Sequence, residues 1–291
     1  TLMGSSTSAP WIMSTNTTTL SEGSHTLYAR CIDGAANSLD SAGVNIEVDN
    51  TQPSGSILVG ALLKGVATVT YTSSYADIVR VVFEYGSSAG TYTIGVDTTS
   101  PFNVSWNTSN MADGTYTVVA TAVDEVGLSY ATGSTSVVDN TPPVLLFSSP
   151  AGSSVVSGQV NITFSGQDGI TSRIGTPTVI IAGVEHAATN WGTNTGLVYG
   201  TYTWNTAAIN DGVYLVQIKG TDTAGNVGYS QIRSYETNNA TETLTLITPA
   251  SSSRICGTIV VEAVAGGDAA SVVFGYEYPQ GSGTWTGIGT D

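Results

Sequence analysis

A phrase that recurs about every 90 to 98 residues constrains this chain more than any other feature. It reads Trp-Asn-Thr, then Asp-Gly-x-Tyr, then an alternating strand ending in Asp, then a link of the type Val-Asp-Asn-Thr-x-Pro. Residues 106–143 hold the clearest copy, WNTSNMADGTYTVVATAVDEVGLSYATGSTSVVDNTPP. Residues 204–238 hold a second and residues 16–53 a third. The pairs Glu22-Gly23, Asp113-Gly114 and Asp211-Gly212 are spaced by 91 and 98 residues, and the linker acids Asp49, Asp139 and Glu236 by 90 and 97. Two independent landmarks agree, so the chain is a tandem array of units near 97 residues long.

Strand signals fill each unit. Val66–Tyr71, Ile78–Tyr85, Tyr116–Val123, Val160–Phe164, Val179–Ile181, Tyr214–Lys219, Thr258–Val264 and Ser271–Tyr278 are period-2 runs rich in Val, Ile, Thr and Tyr. Gly, Pro, Asn and Asp bound them. No window sustains a 3.6-residue period, so essentially no helix is expected. Each unit reads as seven short strands, the number of an immunoglobulin-like Greek-key sandwich. Tyr116 and Tyr214 sit where such a sandwich keeps a corner tyrosine, with His25 in that place in the first copy. Trp106 and Trp204 open the preceding strand and are read as core.

Composition fits. Ser and Thr make up 77 of 291 residues, while charged residues reach only 10%, against roughly 25% in an average soluble protein. With seven Lys and Arg and a net charge of −15, the chain lacks the clustered cations that neutralise phosphate, which excludes a nucleic-acid partner. An anionic membrane repels it as well. No apolar run is long enough to insert directly into a membrane. Divalent cations and an exposed cell surface suit such acidity better.

The pattern Ser-Pro-x-x-Gly…Val-Ser-Gly-x-Val-x-Ile (Ser149–Ile162), the Trp-Asn-Thr…Asp-Gly-x-Tyr segment and Thr-Asp-Thr-Ala-Gly-Asn (Thr221–Asn226) resemble bacterial Ig-like repeat domains. The resemblance covers essentially the whole chain. It implies tandem all-β sandwiches of the kind found in long surface proteins, including adhesins, S-layer proteins and filament subunits, and an extracellular location.

The register predicts whole domains at 51–140 and 141–238. Residues 1–50 carry the last strands of a domain and 239–291 the first. Two readings fit this phase. Either the chain is an excerpt of a longer array, or one copy's last segment is completed by the first segment of the next copy, in a head-to-tail polymer. Cys31 and Cys256 fall in these two segments, and two cysteines permit one bridge. Cys31 lies late on a sixth-strand pattern and Cys256 precedes a second-strand pattern; those strands run the same way in such a sandwich, which sets the thiols at opposite ends, and free or buried thiols are the alternative.

No metal-ligand spacing, phosphate-cradling glycine loop or nucleophile elbow is present, and His25 and His186 stand on separate units. An enzyme is not expected. The acids are more informative, because a linker abuts the loops of the following domain. This placement gathers Asp49, Asp77 and Asp124 at one junction, Asp139, Asp168 and Asp222 at the next, and Glu236 with Asp268 at a third. Three carboxylates in a loop-built pocket suit Ca²⁺, with Glu125 as an added ligand at the first. Ordinary Asx turns at Asp124 and Asp222 are the competing reading. Asn-x-Ser/Thr acceptors for glycans occur at Asn16, Asn103, Asn107, Asn161 and Asn239, whereas Pro142 blocks Asn140.

Two functions remain in view. One is a structural element of the cell exterior, a filament, sheath or S-layer, whose partners are copies of itself. The other is a stalk or adhesin that binds carbohydrate or a surface protein through exposed aromatics, with Trp191 and Trp285 as candidates.

Overall fold

The structure, a computed structural model, describes residues 2–169, 173–194, 197–278, 280–281 and 283–290. It is all-β, and its described helical residues are two three-residue 3₁₀ turns, Thr17–Thr19 and Thr206–Ala208. No helix among the described residues is long and apolar enough to cross a membrane. The chain forms two compact units. The first is Thr1–Thr141 with Gly169–Ser172 and Ala224–Asn226; the second is Pro142–Asp168, Arg173–Thr223 and Val227–Asp291.

The first unit contains a complete sandwich. One sheet runs in the order Asn103–Asn107, Val66–Thr72, Ser56–Leu58. The other runs Leu62–Leu63, Ser129–Val138, Gly114–Asp124, Ile78–Ser87, Gly90–Asp97. Alternation sends every second side chain inward, so Val69 and Tyr71 of one sheet meet Val81, Phe83, Val118, Ala120 and Ala122 of the other. Trp106 is 3% exposed and stacks on Tyr85 at 5.3 Å, which places it in the core as its position predicts.

The second unit repeats the plan. Val144–Ser149, Gln159–Gln167, Leu197–Asn205 and Asn190–Asn194 form one sheet in that order. Val155–Val156, Arg233–Thr237, Gly212–Thr221, Thr178–Ile181 and Val184–Ala187 form the other, with Val227–Tyr229 beside Gly212–Thr221. Ile162, Phe164, Val179, Trp204, Val216, Ile218 and Tyr235 fill the space between. The insertion around His186–Gly200 becomes the edge strands Val184–Ala187 and Asn190–Asn194.

The recurring phrase is a hydrogen-bonded clasp. Thr108 of Trp-Asn-Thr donates both its N–H (2.7 Å) and its Oγ1 (2.8 Å) to the Gly65 carbonyl. Asp113 of Asp-Gly accepts the linker N–H of Asn140 at 2.7 Å. The Asn140 amide accepts from Gly65 N and donates to Thr108 O. Gly114 has φ 150°, a left-handed value that glycine tolerates without strain. Tyr116 then donates Oη to Ala112 O at 2.9 Å, closing the corner. The second unit repeats each bond with Thr206, Gly158, Asp211, Asn239 and Tyr214. In the first copy Glu22 accepts the Asn50 N–H, and His25 Nε2 donates to Ser21 O at 2.7 Å, an imidazole in the tyrosine's role. The phrase recurs because its residues jointly satisfy the backbone where a strand pair meets its exit linker.

Flanking segments repeat parts of the sandwiches in register. Gly23–Leu27 pairs Val44–Val48 from Gly23↔Val48, as Gly114 pairs Val138 and Gly212 pairs Thr237. Thr243–Thr248 pairs Glu262–Gly266 with a bulge after Leu246, as Val144–Ser149 pairs Gln159–Gln167 with a bulge after Phe147. The strand expected at Thr258–Val264 therefore begins later, at Glu262. Val48 is buried at 4% exposure, but several other apolar residues of these flanking segments are uncovered. Leu244 is 61% exposed, whereas its counterpart Leu145 is 2% exposed. Ala29 and Cys31 are exposed, whereas Ala120 and Ala122 are wholly buried.

Candidate metal centre

Asp49, Asp77 and Asp124 arrive from three segments of the first unit. Asp49 follows strand Val44–Val48, Asp77 immediately precedes strand Ile78–Ser87, and Asp124 closes strand Gly114–Asp124. Asp124 pairs with Ile78 across a bulge, which re-aims its side chain and sets it beside Asp77. One carboxylate oxygen from each residue lies within 4.8 Å of the other two. Asp124 is 1% exposed; Asp49 and Asp77 are half-buried.

Turn chemistry occupies part of this site. Asp124 Oδ1 accepts the N–H groups of Val126 (3.1 Å) and Leu128 (2.7 Å), and Asp49 Oδ1 accepts that of Thr51 at 3.0 Å. Asp124 Oδ2 and Asp77 Oδ1, both buried, have no hydrogen-bond partner. Among the described residues the ion pairs are Arg30–Asp40 and Lys219–Glu185, so no cationic side chain offsets these carboxylates. The set is all oxygen, negative and loop-built, the donor chemistry of a hard divalent cation. Glu125 is exposed and outside this group.

The remaining predicted acids divide. Asp139 belongs to the first unit, where it is 1% exposed, accepts Thr141 N–H at 3.2 Å through Oδ1 and buries Oδ2 without a partner. Asp168 and Asp222 belong to the second unit and bring carboxylate oxygens within 4.8 Å of each other. Glu236 requires a correction. The pairings Gly114↔Val138 and Gly212↔Thr237 make Asn238 the counterpart of Asp139, and Glu236 is exposed on its strand. Counting acids along the linker missed this register by two residues. Asn238 Nδ2 donates to Asp268 Oδ2. Asp268 also shares a hydrogen bond with Glu242, which raises the Glu242 carboxyl above its ordinary value and lowers that of Asp268.

Cys31 and Cys256 are free and exposed. The single bridge that two cysteines permit is not formed. Among the glycan acceptors, Asn16, Asn103, Asn107 and Asn161 are exposed. Asn239 is half-buried, and its Nδ2 donates to Thr206 O and Asp211 Oδ1. It is a clasp residue, a role sequence reading missed although the same position is Asn50, Asn140 and Asn239 in the three copies. Trp191 is 38% exposed on an edge strand; the Trp285 side chain lies outside the described residues.

Residues 44–120 match the family model described as bacterial Ig domain, and residues 100–186 match that of bacterial Ig-like domain (group 3). No curated protein matches the chain. Similar solved structures include fibronectin(III)-like modules of CbhA from Clostridium thermocellum, at 17% identity and TM-score 0.38, covering 63% of this chain and 93% of that one. A Ca²⁺-stabilised ice-binding adhesin of an Antarctic bacterium is 20% identical with TM-score 0.34, covering 78% of this chain and 60% of that one. The titin I-band fragment I67–I69 is 10% identical with TM-score 0.40, covering 83% of each chain. With family matches that together span residues 44–186, and with all-β sandwiches that repeat one clasp, this chain contains bacterial Ig-like domains.

Proposed function

We propose that the chain is a structural element of the cell exterior, a segment of a surface stalk or filament made by stringing Ig-like domains. The observation that carries this reading is the repeated clasp, which locks each exit linker onto its own domain through Asn50, Asn140 or Asn239. A clasped linker leaves few free residues between one sandwich and the chain that follows, as a load-bearing or spacing element requires. The uncovered apolar residues of the flanking hairpins support association with further Ig-like strands, including those of other copies. Light scattering after size exclusion tests this. A ladder of multimers supports head-to-tail association; a monomer at high concentration removes association between copies from the proposal.

A second reading, a stalk that also binds carbohydrate, is favoured by Trp191, an exposed indole on an edge strand. Tryptophan emission that shifts on adding glycans, and no longer shifts in Trp191→Ala, supports it; emission that never shifts counts against it.

A further inference from the structure

Asp33 and Asp124 occupy the same place in successive repeats, 91 residues apart, each at the start of a turn after the same strand. Their turns are closed alike. Asp33 Oδ1 accepts N–H groups at positions two and four residues on, Ala35 at 2.9 Å and Asn37 at 2.8 Å, as Asp124 Oδ1 accepts those of Val126 and Leu128. The second oxygens differ. Asp33 Oδ2 accepts Nδ2 of Asn37 at 2.9 Å, so that carboxylate is satisfied within its own loop. In the Asp124 turn the equivalent residue is Leu128, whose side chain has no donor to offer. Asp124 Oδ2 is left buried and unpartnered, in a residue 1% exposed, next to Asp77, whose Oδ1 is also buried and unpartnered.

A turn needs one of these oxygens and is already served. Burying the second without a partner costs free energy, and gathering three carboxylates adds mutual repulsion. A bound cation removes both penalties. Oxygens bound to one Ca²⁺ at about 2.4 Å stand at most about 4.8 Å apart. The three Asp oxygens meet that limit. No His or Cys belongs to the group, which disfavours zinc and other softer metals. The wide, loop-built arrangement suits Ca²⁺ better than the tight octahedron of Mg²⁺.

We propose that Asp49, Asp77 and Asp124 bind one calcium-class divalent cation, which ties the linker strand end at Asp49 to the two loops of the domain it enters. The satisfied Asp33 turn is the internal control. The site stands independently of the structural role above, because calcium binding and self-association are separate readouts.

The test is isothermal titration of the full 291-residue chain with CaCl₂ after exhaustive chelation. Asp77→Asn removes a charge while keeping the shape, so the chelated protein should unfold at the same temperature as the parent or higher, and one calcium per chain should be lost. Leu128→Asn installs the amide that Asn37 supplies in the other turn, and should weaken that calcium by tenfold or more. Asp33→Asn should leave the isotherm unchanged. The proposal is overturned if the parent chain takes up no calcium at millimolar concentration. It is equally overturned if Asp77→Asn and Leu128→Asn bind calcium as the parent does. A chelated Asp77→Asn protein markedly less stable than the parent would also overturn it, since that result means the carboxylate serves the fold rather than an ion.

Discussion

At the residue scale, short polar side chains do more here than the apolar patterning suggests. Asn140 satisfies Gly65 N, Thr108 O and, through its backbone, Asp113. Asn140→Ala leaves these partly buried groups without partners, at about 1–3 kcal/mol. Urea denaturation should show a lower midpoint with an unchanged slope. Asp97 offers a second check. Backbone N–H groups of Asn103 and then Thr99 hold its carboxyl below the usual aspartate range. A lowered folded value means that its stabilising effect is complete above the ordinary aspartate pKa and fades as pH falls through the folded one. NMR titration should give Asp97 a midpoint below that of a free aspartate, and Asp97→Asn should remove this share of the acid sensitivity. Trp106, Trp204 and the corner tyrosines are legible in the sequence because large aromatics at fixed offsets on either side of the Asp-Gly pair have few other places to go. Asn140 and Asn239 are not, because an asparagine in an Asp-Asn-Thr link reads equally well as solvent-facing.

At the element scale, strands and their partners follow alternation, but their ends follow tertiary contacts. Gly200 sits within strand Leu197–Asn205, where an added Cβ would come within 2.2 Å of the Phe164 ring. Gly200→Ala should therefore cost about 1–3 kcal/mol by overpacking, read as a drop in the second unit's thermal midpoint. The sequence marks this glycine only as a weak point in a strand; the ring it accommodates is a cross-strand neighbour. Registers show the same limit. Spacing along the sequence groups the linker acid Asp49 with the loop acids Asp77 and Asp124, as the structure does. It fails at Glu236, because only the pairing Gly212↔Thr237 reveals that Asn238 stands where Asp49 and Asp139 stand.

At the scale of the whole molecule, the contrast between buried and uncovered copies of one position governs behaviour. Leu145 is 2% exposed and Leu244 is 61% exposed. Substituting an exposed residue shifts folding stability by roughly 0.5 kcal/mol or less. Leu244→Asp should therefore leave the thermal midpoints of the two complete sandwiches in place. If Leu244 is covered by strands of another copy, the same substitution should abolish the multimers seen by light scattering. Multimers that survive it would place the contact elsewhere.

The amino-acid sequence by itself determined the tandem period, the all-β class, the Ig-like sandwich and the aromatic core, because each rests on periodic burial, which leaves a one-dimensional trace. The tertiary structure decided which oxygens of Asp124 and Asp33 are satisfied, which linker residue faces which loop, and which apolar hairpin faces stay uncovered. Those outcomes depend on pairing register and on which side chains meet in space, such as Asp77 beside Asp124, or Asn37 against Leu128 in turns closed by the same Oδ1 bonds. Spacing along the chain carries no record of them.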